Sequence, residues 1–154
     1  MKVLKYVFYG IIAVFFLIQF IPVDLPENIN DLSNDIILTE KAPENIKLIL
    51  SKACYDCHSN QTNYPWYSYV APVSWLIAND TKEGREELNF SDWAELSKRK
   101  KIGILKDMAE EVEEKKMPLE IYTVIHRKAT LTDDEIEAVS DWTKSVSDQI
   151  LGGN

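Results

Sequence analysis

The chain carries two cysteines and two histidines, and three of those four residues stand within one short stretch, Cys54-Tyr55-Asp56-Cys57-His58. Cysteines three positions apart at the end of a helix send their sulfurs out on the same side, about one turn from each other. His58 follows directly and projects an imidazole from that side. Two thiols along one edge and a ring nitrogen beside them match a porphyrin, whose two vinyl groups lie along one edge with the iron behind them. The stretch is therefore expected to hold one haem covalently through Cys54 and Cys57 (haem c), with His58 ligating the iron. Three other readings compete. A redox dithiol wants a strand-then-helix setting, which is not visible here. A closed zinc site needs four ligands, and only His126 is left to join the motif's three. The third alternative is chance, with the two cysteines as small buried hydrophobes.

A six-coordinate iron needs a second axial ligand. With Met1 assigned to the far side of a membrane, Met108, Met117 and His126 remain. Met108 falls on the apolar stripe of a long helix, where a core role suffices. Met117 has no packing register to explain it and precedes Pro118, on a segment free to wrap over a haem face. Met117 is the expected second ligand; His126 and an open position are the alternatives.

From Tyr6 to Val23 the chain runs without a charge, with Gln19 its one strongly polar side chain. At ~1.5 Å per residue this is roughly 27 Å of helix, close to the ~30 Å of a bilayer's hydrocarbon core. Lys2 and Lys5 precede the run and acidic residues follow it, so the positive-inside tendency puts the amino terminus in the cytoplasm. Gln19-Phe20-Ile21-Pro22 lacks the small residues of a cleavage site, which favours an uncleaved anchor over the alternative, a cleaved signal peptide. The expectation is an uncleaved anchor in the bacterial cytoplasmic membrane through residues 6–23, with the remainder on the periplasmic side. Covalent haem attachment in bacteria takes place on that side.

Beyond Val23 the chain keeps every basic side chain except Lys2 and Lys5, 15 of 17, and all 25 acidic ones, a formal charge of −10. Such a domain repels phosphate backbones, which excludes nucleic acid as a partner. It suits redox partner proteins with basic docking patches, met by electrostatic steering.

The rest of the chain reads as helices. Pro43 and Glu44 open one in which Ile46, Ile49, Leu50 and Ala53 share a face, ending on Cys54. A turn-rich stretch at 59–74 precedes a second apolar run from Trp75 to about Gly84. Ser91 is expected to cap a long helix running to about Glu114, and Met117-Pro118 to break it. Thr132 with Glu135 forms a capping box for the last helix, where Ile136, Val139, Trp142, Val146 and Ile150 face the core. The fold class expected is all-α, an N-terminal single transmembrane helix followed by a c-type-cytochrome-like helical domain. The divisions are 1–23 (anchor), 24–43 (polar tether, with a short extended piece at 36–38) and 44–154 (haem domain). The run Lys98-Arg99-Lys100-Lys101 reads as a solvated helix face.

The segments C-Y-D-C-H-S-N-Q-T at 54–62 and P-W-Y-S-Y-V-A-P-V-S-W-L at 65–76 resemble the small bacterial haem-binding domain family, relatives of class I c-type cytochromes. E-G-R at 83–85, L-N-F-S-D-W at 88–93, M-P at 117–118 and the His126 region extend the resemblance over about residues 44–145. It implies thioethers at Cys54 and Cys57, His58 as proximal ligand and Met117 as distal ligand. A His often stands in the family where this chain has Asp80, which weakens any mechanism that needs a distal histidine. Trp66, Tyr67 and Trp75 would then line the haem crevice. A Pro65 or Pro72 carbonyl would accept the His58 Nδ1 proton. One-electron transfer is the expected activity, with the protein a carrier rather than a catalyst. The alternatives are a peroxidase-like enzyme or diatomic-gas sensor with an open distal position, and an assembly protein whose haem is incidental.

Overall fold

The computed structural model describes residues 2–153, so Met1 and Asn154 lie outside the described residues. Eight α-helices follow one another: α1 Lys2–Ile18, α2 Ile36–Thr39, α3 Glu44–Ala53, α4 Tyr55–His58, α5 Val73–Glu87, α6 Lys98–Glu113, α7 Glu120–Ile125 and α8 Asp133–Gly152. Short 3-10 turns at Trp66–Tyr69, Phe90–Glu95 and Arg127–Ala129 connect them, and no strand occurs among the described residues.

The core forms where α6 and α8 lie along each other and α3 packs against α8. Leu105, Met108 and Val112 of α6 meet Val139, Trp142 and Val146 of α8, with Ile46 and Leu50 of α3 and Phe90 and Trp93 closing the cluster. Each large apolar side chain fully withdrawn from water contributes roughly 1.5–3 kcal/mol, so this cluster holds the helices in register. Thr132 and Glu135 form the expected capping box at the start of α8. The α3 stripe is as expected, with Ile46, Ile49, Leu50 and Ala53 all buried.

Three expectations are corrected. The transmembrane helix is the first: no helix among the described residues is long and apolar enough to cross a membrane. The helix α1 begins with Lys2 and Lys5 and stops at Ile18. Its uncharged part, residues 6–18, spans only about 20 Å. The apolar run continues to Val23, but the backbone leaves the helix after Ile18 through a turn closed by Phe20 N–H to Leu17 and Ile21 N–H to Ile18. There Gln19 pairs with a peptide group of the domain, its Nε2 donating to Ala71 O (3.1 Å) and its Oε1 accepting from Ala71 N (3.0 Å).

The second correction concerns the long helix from Ser91. Asn89 instead caps the 3-10 turn Phe90–Glu95, and Ser97 opens α6 by accepting from Lys100 N. Ser91 is buried, and its hydroxyl is spent on Asn60 N (3.0 Å). Trp93 in that turn is fully buried, and its Nε1 donates to Glu40 (2.6 Å).

Third, Ile36-Ile37-Leu38 is helical, not extended, because Asp35 caps α2 by accepting from Ile37 N (2.8 Å). Ile36 and Ala42 sit in the core. The polar stretch before them is also fastened down. Asn28 exchanges two hydrogen bonds with the Thr62 backbone, and Arg85 donates to Glu27 O.

Candidate functional site

Helix α3 is capped at its C-terminal end by Cys54, whose carbonyl accepts from both Cys57 N (3.2 Å) and His58 N (2.9 Å). That single turn, α4, brings the two thiols and the imidazole to the wall of one cavity of about 580 Å³. Met108, Met117, Tyr67 and His126 line the same cavity, together with aliphatic side chains of α5, α6 and α7. The volume lies in the ~300–1,000 Å³ range usual for ligand and cofactor sites.

Helix α5 crosses α4 at Gly84. A Cβ there would stand 2.7 Å from the Cys57 carbonyl oxygen, so only glycine permits the approach. The consequence is seen at His58: its Nδ1 donates to Gly84 O (2.9 Å) and Leu88 O (3.1 Å). Carbonyls only accept, so the proton is on Nδ1 and Nε2 keeps its lone pair. Burial holds the His58 pKa below its ordinary value, against the opposite pull of the two carbonyls, so the ring is neutral at pH 7. These carbonyls close the C-terminal turn of α5, its negative pole, which strengthens the donor. The expected partners, the Pro65 and Pro72 carbonyls, are instead taken by Ser68 N and Trp75 N.

The thiols are protonated. Burial first, and then Cys57, push Cys54 up to about 12; burial first, then Asp56 and Asp80, push Cys57 up to about 11. Reactive dithiols have lowered values, so this environment is wrong for disulfide exchange. No group of three or more His, Cys, Asp or Glu is placed to hold a metal ion among the described residues.

All three second-ligand candidates line the cavity, in different surroundings. Met117 lines the cavity and packs partly buried against the core, just beyond α6. Met108 is buried on the α6 stripe, as expected, and also reaches the cavity wall. His126 is engaged: its Nε2 shares a hydrogen bond with Tyr67 OH at 2.5 Å, and the Tyr122 ring stacks on it at 4.3 Å and 8°. Tyr122 OH in turn donates to Asp56 Oδ2 (2.7 Å), inside the cysteine motif. Burial, and then the Asp56 bond, raise the Tyr122 pKa, so it remains a donor.

Of the aromatics expected in the crevice, Tyr67 is there, whereas Trp66 is 77% exposed and Trp75 is not part of the wall. Gly84, Tyr122 and Asp56 were not foreseen as site residues. Gly84 had a signal in its E-G-R context; Tyr122 had none. Ser68, fully buried, lines the cavity, and its hydroxyl has no protein partner.

Two thiols, a neutral imidazole with a free Nε2, a thioether and an unsatisfied hydroxyl thus share one largely apolar space. This donor set and volume fit a haem. Residues 13–145 match the haem-binding domain family. The chain belongs to that family. The matched span includes every residue of the cavity wall, and haem binding is the function the family carries. No curated protein and no solved structure gives a significant match.

Proposed function

We propose that the chain is a monohaem c-type cytochrome that transfers single electrons. Cys54 and Cys57 would hold the haem covalently as thioethers, each thiol adding its sulfur and its hydrogen to the same vinyl group with nothing displaced. His58 Nε2 and the Met117 sulfur would ligate the iron. When bound, the haem iron supplies a one-electron couple, and methionine–histidine ligation raises its potential. The protein's own work is to orient His58 through Gly84 O and Leu88 O, to exclude water with the α5–α6 wall, and to hold the thiols neutral until attachment. Attachment belongs to the periplasmic side of the bacterial cytoplasmic membrane, where that chemistry is carried out.

The observation that carries this reading is the convergence of both thiols, His58 and Met117 on one cavity. The test is direct. Expressed with a c-type maturation system, the protein should keep its haem through acidified organic extraction and denaturing electrophoresis. Cys54→Ala with Cys57→Ala should lose it. Haem that extracts freely from the wild type refutes covalent attachment.

A second reading, an enzyme or sensor with a displaceable distal ligand, draws on Tyr67 and His126 as polar groups on the cavity wall. The ferric spectrum with and without cyanide, and the ferrous spectrum with carbon monoxide, separate the two readings. A carrier with Met117 bound stays unchanged at ligand concentrations that saturate an open site.

A further inference from the structure

The cavity mouth has two unlike lips. One is apolar. The 3-10 turn Trp66–Tyr69 and helix α7 are joined by the Tyr67–His126 hydrogen bond and by the stack of Tyr122 on His126. Together they present Trp66 (77% exposed), Tyr69 (65%), Val124 (66%), Ile121 (55%) and Ile125 (57%) to solvent. Trp66, Tyr69 and Val124 do not belong to the cavity wall, so a cofactor filling the cavity leaves them exposed. Isolated exposed apolar residues are ordinary, but three that stay uncovered on one braced lip, a tryptophan and a tyrosine among them, are the composition of a recognition surface.

The other lip is acidic. Asp80, Glu83 and Glu87 share one face of α5, and Asp107 belongs to α6; all four line the cavity. None takes part in an ion pair among the described residues, although Lys82 and Lys106 beside them pair with Glu86 and Glu110. No lysine or arginine lines the cavity, in a chain with 17 of them. The lip's charge is thus left unneutralised where the apolar lip is left uncovered.

We infer that the two lips are one docking surface for a redox protein whose own cofactor edge is ringed by lysines and arginines around an apolar centre. The inference rests on the electron-transfer reading and names the partner's chemistry. Opposite charge steers the encounter and sets which lip the basic ring meets, while the aromatic lip gives the short-lived complex its dry contact. Removal of the carboxylates slows association, and removal of the aromatics shortens the complex.

The probe is a mitochondrial-type cytochrome c, which carries a lysine ring around an exposed haem edge, mixed with the haem-loaded protein in a stopped-flow spectrophotometer. Four substitutions, Asp80→Asn, Glu83→Gln, Glu87→Gln and Asp107→Asn, should together slow second-order electron exchange about tenfold or more at low ionic strength and flatten its salt dependence. A control with the same change in net charge, Asp134→Asn, Glu137→Gln, Asp141→Asn and Asp148→Asn on α8, should slow it less than about twofold. Trp66→Ala with Tyr69→Ala should leave the salt slope intact and weaken saturation of the rate with probe concentration. Equal slowing by the two acidic sets overturns the inference, because net charge alone would then act. So does unchanged exchange in all variants. A wild type that takes up no haem refutes the cytochrome reading itself, an outcome visible before any kinetics.

Discussion

Two glycine-to-alanine substitutions in neighbouring helices make the packing at the site measurable. Gly84 and Gly103 are both helical, and in each case alanine gains about 1 kcal/mol of helix propensity. At Gly103 a new Cβ meets nothing within 4 Å, so Gly103→Ala should stabilise by about 0.5–1 kcal/mol. At Gly84 the new Cβ would stand 2.7 Å from Cys57 O and 3.1 Å from Cys57 C and Cβ. Carbon atoms settle at ~3.5–4.0 Å, so α5 has to back away from α4. Overpacking of this kind costs about 1–3 kcal/mol, and stretching the His58–Gly84 hydrogen bond adds about 1. Against the propensity gain, Gly84→Ala should lose about 1–3 kcal/mol. The two variants should therefore differ by about 1.5–4 kcal/mol, or roughly 0.75–2 M in urea midpoint at a slope of ~2 kcal/mol/M. The assay is equilibrium urea unfolding followed by tryptophan fluorescence. In the haem-loaded protein the iron–histidine stretching band should also fall for Gly84→Ala, because the Nδ1 proton donates less well. A Gly84→Ala protein as stable as Gly103→Ala, with that band unmoved, would refute the close approach.

Two further outcomes are expected. Met117→Ala should keep its covalent haem yet bind carbon monoxide readily, lose the near-infrared band of sulfur-ligated ferric haem and fall in reduction potential; if His126→Ala has those effects instead, His126 is the ligand. Burial, opposed by the Tyr55 and Ile37 hydrogen bonds, holds the Asp35 carboxyl above the ordinary aspartate pKa. Its contribution to stability is thus fully present below that ordinary value and is lost as pH rises through the folded-state value. Urea midpoints from about pH 4 to 7 should fall less with pH in Asp35→Asn, which keeps an acceptor for Ile37 N and Tyr55 OH; parallel profiles would refute the assignment.

Local patterns were legible wherever one element supplies its own explanation. The α3 stripe, the Thr132–Glu135 capping box and the all-helical class follow from spacing and capping chemistry, which act within a few residues. The cysteine motif belongs with them, since one turn of backbone suffices to set two thiols and an imidazole on the same side. The errors share a cause. The uncharged run from Tyr6 to Val23 matches a membrane span by count, but Gln19 finds the Ala71 peptide group and the helix stops at Ile18. Ser91 has the right chemistry for a cap, yet the fold uses its hydroxyl for Asn60, and the helix waits for Ser97.

By itself, then, the sequence determined the triad of Cys54, Cys57 and His58, the helical class and the candidates for a second ligand, because each depends on residue type and short spacing. The tertiary structure alone decided which groups face that triad. Gly84 and Leu88 supply the carbonyls for His58 from 26 and 30 residues away, because a glycine without Cβ lets α5 touch α4. Tyr67 occupies His126 from 59 residues away, and Tyr122 reaches Asp56 from 66. Such pairings come from the packing of whole helices, which fixes distances that no local periodicity encodes.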